Sequence, residues 1–155
     1  PNQVKDFIEN TNADSLAVAI GTSHGAYKFK PGQNPQLRFD ILEKIQNSVP
    51  SLPIVLHGAS SINPELINKI NTYGGNLKSA IGIPENQLKK ASEMSVCKIN
   101  VDSDLRLAMT ASIREFLFKN PDKFDPRGYL STAREAIETV VEYKVKNIFG
   151  SAFKA

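Results

Sequence analysis

The chain of 155 residues contains one cysteine, two histidines, two methionines and no tryptophan. The lone Cys97 excludes an intrachain disulfide and fits a reducing compartment, the cytoplasm. Long apolar runs are also missing. The longest, Leu16–Ile20, falls far short of the roughly 18 residues that cross a bilayer, so no transmembrane helix is expected. The first ten residues, PNQVKDFIEN, lack the basic-then-apolar pattern of a signal peptide. They do not begin with Met, so further residues are expected upstream. A charge excess of one sign is nearly absent: 19 Lys and Arg face 16 Asp and Glu, for a net +3. The two signs are interleaved and no basic stripe forms, which argues against a nucleic-acid partner and leaves room for a small anionic ligand. The apolar fraction of 41% and charged fraction of 23% are those of a globular domain, not of a disordered tail, a collagen or a coiled coil.

What is present is a repeating alternation. Leu16–Ile20, Pro53–Leu56 and Lys98–Val101 read as short strands. The first two are apolar throughout, as in a parallel sheet covered on both faces. Helical patterns separate them. Residues 36–47 place Leu37, Ile41, Leu42 and Ile45 on one face. Asn63-Pro64 is an N-cap followed by proline at the first helical position, with Leu66, Ile67 and Ile70 as its stripe and Gly74-Gly75 as its stop. A short helix is expected over Glu85–Glu93, and a longer one from Asp102 or Ser103 to about Lys119. Thr132-Ala133-Arg134-Glu135 reads as a capping box opening a last helix. Its buried face would comprise Ile137, Val140, Val141, Val145 and Ile148. Cys97 is expected as a small buried apolar residue rather than a nucleophile.

Strand and helix in alternation imply a parallel α/β sheet, either open and doubly wound or part of a (β/α)8 TIM barrel. Three strands make a poor sheet for this length, and a barrel needs about 250 residues. The fold expected is therefore α/β, the C-terminal part of a TIM barrel comprising its last three strands and their helices. Residues 1–155 form part of that one domain, with its N-terminal strands upstream.

Polar clusters follow each strand: GTSHGAYK at 21–28, HGASS at 57–61 and NVDSD at 100–104. They are spaced by about one strand-helix repeat, so they converge on the carboxyl rim of the sheet, where both architectures bind ligands. His24 and His57 each follow a strand and precede a glycine. They are either ordinary strand-end histidines or two metal ligands on neighbouring strands. A catalytic zinc holds three protein ligands and one open position, so a third ligand would have to come from upstream strands or a nearby carboxylate. Gly25 and Gly58 either serve turns or let backbone N–H groups approach an oxyanion. Ser60 and Ser103 could add hydroxyl donors and Lys28 a charge, and Ser103 would stand at a helix N-terminus that favours phosphate. The Gly21-Thr22-Ser23-His24-Gly25 run also matches the nucleophile elbow of serine hydrolases. That elbow must turn straight into a helix, which the Ala26–Gly32 stretch cannot do. The Lys-, Gly- and Pro-rich segment Lys28–Gln36 reads as a lid or an ordinary surface loop.

In this order and spacing, GTSHGAYK, LHGAS and KINVDSDLR, followed by KNPDKFDPRGYL and GSAFKA, resemble the C-terminal half of class II fructose-1,6-bisphosphate aldolases. The resemblance covers nearly the whole chain. It implies a TIM barrel and a zinc-dependent, reversible cleavage of fructose 1,6-bisphosphate to dihydroxyacetone phosphate and glyceraldehyde 3-phosphate, in glycolysis and gluconeogenesis. It assigns His24 and His57 to zinc, with a third histidine upstream. Gly25, Lys28, Gly58, Ser60 and Ser103 match groups that hold the phosphate of dihydroxyacetone phosphate. Asn100 and Asp102 match residues at the ketose hydroxyl and enediolate oxygens. Arg106 matches a residue near the second phosphate, and Arg127 one that reaches a neighbouring subunit's site. A monovalent cation near the phosphate loop, a homodimer or homotetramer, and an upstream Asp-His pair carrying the proton-transferring aspartate are further implications. This chain lacks any Asp-His pair, so catalysis by it alone is not expected. Tagatose-bisphosphate aldolases resemble the pattern as well, and a non-catalytic sugar-phosphate-binding remnant is the alternative of a different class.

Overall fold

The computed structural model describes residues 1–22, 29, 32 and 34–154. The element order is α1 (Asn2–Thr11), β1 (Leu16–Val18), α2 (Phe39–Ser48), β2 (Ile54–Leu56), α3 (Pro64–Thr72), α4 (Glu85–Ser92), β3 (Val96–Ile99), α5 (Ser103–Lys119) and α6 (Pro126–Lys144). A π-helical turn, Val145–Phe149, continues α6. The three strands form one parallel sheet in the order β1-β2-β3. Leu16 faces Ile54 and Val18 faces Leu56. On the other side Ile54 faces Val96 and Leu56 faces Ile99, with an irregularity between Ile54 and Val55. Parallel neighbours require crossovers. Here α2 lies between β1 and β2, and α3 and α4 lie between β2 and β3.

The central strand is buried on both faces at Ile54, Val55 and Leu56, as a continuous apolar run requires. The outer strands are not. Ala17 and Ala19 of the first apolar run are exposed, so two-sided cover holds for β2 and fails for β1. β3 begins two residues earlier than its apolar pattern predicted. Only Val96 of it is buried, while Cys97 and Lys98 are exposed. The expected burial of Cys97 is thus corrected: an outer strand of this sheet leaves its second face open. Cys97 Sγ donates instead to the Ile54 carbonyl at 3.2 Å.

Two apolar clusters hold the elements. One joins Val18, Ile20, Ile54, Leu56 and Val96 to Leu42 and Ile45 of α2, Leu88 and Ala91 of α4, and Ile148 of the π turn. The other joins Ile67 and Ile70 of α3 to Leu107 and Ala111 of α5, with Ile62 and Ala80. Burying a side chain such as Leu42, Leu56 or Leu88 (each 0% exposed) contributes about 1.5–3 kcal/mol. The Asn63 side chain accepts from Glu65 N–H at 2.9 Å and caps α3 as its Asn-Pro pair predicted. The last helix begins six residues before the predicted capping box. Asp125 caps it through Arg127 N–H at 2.9 Å, with Pro126 at its first position. Of its expected buried face, Ile148 is buried and Val141 is 43% exposed.

Charge fastens α3 to α5. Glu115 pairs with Lys119 at 2.6 Å on its own helix and with Lys69 across the helix interface. Hydrogen bonds from Lys119 and then Lys69 hold its carboxyl down at about 2, against an ordinary value of 4.5. A carboxyl lowered in the folded state stabilises it in full above 4.5, and that contribution is lost as pH falls through about 2. Glu115→Gln is therefore expected to lower the melting temperature near neutral pH, with the deficit shrinking between about pH 5 and pH 2. Thermal unfolding of both proteins across that range checks this. A deficit independent of pH would contradict it.

Candidate functional site

The carboxyl ends of the three strands meet through a chain of backbone and side-chain hydrogen bonds. His57 N–H donates to Val18 O, and Asn100 N–H to Leu56 O, each at 3.0 Å. These bonds carry the sheet pairing one step past the strands and set His57 and Asn100 side by side. The Asn100 amide lies 3.2 Å from His57 Nδ1. Thr22, at the start of the polar cluster that follows the first strand, donates its hydroxyl to the His57 carbonyl at 2.5 Å. Three sequence segments 35 and 43 residues apart thus share one rim, as their spacing predicted.

Beyond His57 the chain turns sharply. Gly58 takes a left-handed conformation, φ 68°, open to glycine without a steric penalty. Ser60 follows and is buried. Its Oγ accepts from the backbone N–H groups of Ser103, at 3.2 Å, and Asp102, at 3.4 Å. Those are among the first N–H groups of α5, which no intrahelical carbonyl can satisfy. Accepting two N–H bonds polarises the hydroxyl and leaves its proton to donate elsewhere. Ser60, Ser103 and the positive end of the α5 dipole together make a surface suited to an oxyanion. The floor under this turn is tight. A Cβ on Gly82 would stand 2.3 Å from the Ser61 carbonyl group and 2.4 Å from Ser60 O. Ile83 N–H donates to that same Ser60 O at 3.0 Å.

The remaining predicted residues divide. Asp102 and Arg106 stand one helical turn apart and pair with each other at 2.9 Å, both well exposed at the same rim. Arg127 is not brought to this cluster. It forks onto Asp125 at the start of α6 and is 91% exposed. Seventeen residues of helix separate it from Lys144 at the cluster's edge, about 25 Å at 1.5 Å per residue. His24, Gly25 and Lys28 lie outside the described residues, as do Lys30, Pro31 and Gln33 of the Lys28–Gln36 segment.

As a zinc donor set, the described part of the rim offers one imidazole, His57. Among the described residues no group of three His, Cys, Asp or Glu side chains gathers to hold a metal. What is present fits zinc chemically. A neutral imidazole is a zinc donor, and a ligating histidine normally has its other ring nitrogen hydrogen-bonded. Asn100 supplies such a partner at Nδ1, because its amide can present either its NH2 or its oxygen there.

Sequence reasoning passed over three buried polar residues. Asp104 stood inside the NVDSD cluster without a role, and Lys144 and Gln87 carried no local signal. Gln87 Oε1 accepts from Leu37 N–H at 2.6 Å and its Nε2 donates to Pro35 O at 2.9 Å, fixing the segment that leads into α2. Asp104 and Lys144 reach the turn at 58–62. Their partners in that turn lie 42 to 83 residues away in sequence, beyond any helical or strand period.

The family model described as "Fructose-bisphosphate aldolase class-II" matches residues 1–154. Proteins named fructose-bisphosphate aldolase from Treponema pallidum, Giardia intestinalis and Thermus caldophilus are 50%, 47% and 48% identical, over 100%, 98% and 100% of this chain. The aligned parts amount to 50%, 46% and 50% of those proteins, so the chain spans about half the length of the curated relatives it matches. With a parallel sheet whose rim carries His57, Asn100, Ser60 and Ser103, and a family match from end to end, the chain belongs to the class II fructose-bisphosphate aldolase family.

Proposed function

We propose that this chain is the C-terminal part of a (β/α)8 barrel, and that the protein carrying it is a class II aldolase. It would cleave fructose 1,6-bisphosphate reversibly to dihydroxyacetone phosphate and glyceraldehyde 3-phosphate. The observation that supports this most is the joining of two kinds of chemistry at one rim. An imidazole with an amide partner, His57 and Asn100, stands beside an oxyanion cradle built from Ser60 and the start of α5. A bisphosphate aldolase needs both.

In this reading His24 and His57 hold zinc, with a third histidine on an upstream strand. When bound, zinc supplies Lewis-acid polarisation of the substrate's ketone. The chain's own residues do the rest of the work available to it. Ser60 and Ser103 donate to the phosphate of dihydroxyacetone phosphate, with Gly25, Gly58 and Lys28 completing the cradle and a monovalent cation beside it. Asn100 donates to the oxygen on which negative charge develops. Asp102 accepts from a ketose hydroxyl and, through its pair with Arg106, holds that guanidinium at the rim for the distal phosphate. The proton at the C4 hydroxyl is assigned to an aspartate upstream of this chain. The protein would work in the cytoplasm as a homodimer or homotetramer. Arg127 would serve the neighbouring subunit's site, in keeping with its exposure and its distance from this rim.

His57→Ala, in the protein that carries this chain with its upstream strands, is expected to lose zinc and fructose 1,6-bisphosphate cleavage together. A full equivalent of zinc by elemental analysis would contradict the role of His57. Arg106→Ala is expected to raise KM for the bisphosphate about tenfold or more, consistent with about 1.5–3 kcal/mol for a hydrogen bond to a charged group. Inhibition by dihydroxyacetone phosphate should change little. Equal weakening of both would reject the assignment of Arg106 to the distal phosphate.

A further inference from the structure

We propose that Asp104 and Lys144 are positioning residues: their buried ion pair forces the turn at 58–62 into the one shape that presents the Ser60 hydroxyl and the α5 N-terminus as a preformed phosphate cradle. The inference rests on the reading of this rim as a phosphate site, and it assigns work to two residues that touch no substrate.

Both groups are nearly sealed from solvent. Asp104 is 2% exposed and Lys144 3%. A buried carboxylate persists only when its lone pairs are met, and here they are. Asp104 Oδ1 accepts from Ile62 N–H at 2.7 Å and from Ser61 Oγ at 3.1 Å. Its Oδ2 accepts from Ser61 N–H at 3.1 Å and lies 3.7 Å from Lys144 Nζ. Lys144 Nζ donates to Ser61 Oγ at 2.7 Å and stands 3.5 Å from Glu85. Lys144 is the last residue of α6, directly before the π-helical turn, a distortion often found at functional sites. Every one of these bonds ends on Ser61 or Ile62, or on a group that touches them.

The turn they hold is strained. Ile62 has φ 57°, the left-handed region that a β-branched side chain adopts only when its surroundings over-determine it. Asp104 is the group that captures the Ile62 N–H in that conformation. Ser60 lies two residues before Ile62, and its Oγ meets the Asp102 and Ser103 N–H groups. Asp104 itself belongs to the first turn of α5. One carboxylate therefore joins the two halves of the cradle, the turn at 58–62 and the helix start at 102–104, and fixes their register. A stability role alone is a weak account of this pair, since apolar residues of similar volume commonly serve a core as well as a buried ion pair does. A geometric role accounts for both the pair and the strain.

The test uses Asp104→Asn, Lys144→Met and the double variant Asp104→Asn/Lys144→Met in the protein that carries this chain with its upstream strands, with Ser60→Ala alongside. The measurements are competitive inhibition by inorganic phosphate, KM and kcat for fructose 1,6-bisphosphate, zinc content and melting temperature. The outer residues of a site typically carry about 10–100-fold. The expected result is phosphate inhibition weakened and KM raised by about tenfold or more, kcat lowered by a smaller factor, and zinc retained. The double variant should regain the melting temperature lost by the singles, because it leaves no buried charge unpaired (Glu85 is part-exposed and keeps its bond from the Tyr143 hydroxyl), but not the phosphate affinity. Folded variants with unchanged phosphate inhibition overturn the proposal. So does failure of both single variants and the double variant to fold, which makes the pair purely structural. Unchanged phosphate inhibition in Ser60→Ala instead overturns the reading of the rim as a phosphate site.

Discussion

The Asp104 carboxylate is the junction on which the rim depends. The turn after β2 and the first turn of α5 belong to segments 42 residues apart, and the local sequence of neither sets its position relative to the other. Gly58 and Ile62 both adopt left-handed conformations within five residues, a path that an unconstrained chain would leave. The bonds from Ile62 N–H, Ser61 N–H and Ser61 Oγ to one buried carboxylate hold it there, with Lys144 meeting the charge. Because Asp104 is built into α5, whatever it holds is also held relative to that helix's N-terminus.

This junction links core to chemistry. The second apolar cluster, which contains Ile62 and Leu107, lies on the inner side of the turn, and Gly82 presses against its backbone with no space for a side chain. At the rim stand the buried Ser60, Ser103 and, one strand end away, His57 with Asn100. Packing from below and a saturated carboxylate at the side leave the turn one conformation. Preorganised donors need no reorganisation when an anion arrives or when charge develops, so rigidity here is part of the proposed catalysis rather than an accompaniment to it.

Much of the fold was legible along the chain because it is written in local patterns. The stripe over 36–47, the Asn63-Pro64 start and the helices after Glu85 and Asp102 all appear close to where periodicity and capping put them. The start of α6 was misjudged through a competing signal. Asp125-Pro126 is the same cap-and-proline device as Asn63-Pro64, but the capping box at 132–135 lies inside the helix and drew the boundary inward. β3 was placed too late because Lys98 broke its apolar run, while Val101 extended the pattern past the true strand end. Cys97 followed the habit of its residue type, and the open face of an outer strand decided otherwise. Strand-end placement brought His57, Ser60, Asn100 and Ser103 to one rim because a parallel sheet sends all its strand ends there. Asp104, Lys144 and Gln87 were not legible. Their significance lies in partners on distant segments and in burial, which only the folded chain exhibits.

The proposed anion site lies where the turn at 58–62 meets the start of α5. The most direct measurement is a crystal structure of this chain, joined to the upstream strands proposed for it, soaked with dihydroxyacetone phosphate. The phosphate group is expected within hydrogen-bond distance of the Ser60 hydroxyl and Ser103, with the Asp104 carboxylate still bonded to Ser61 and Ile62. A phosphate group bound away from Ser60 and Ser103, or an Asp104 side chain released from the turn in that complex, would contradict it.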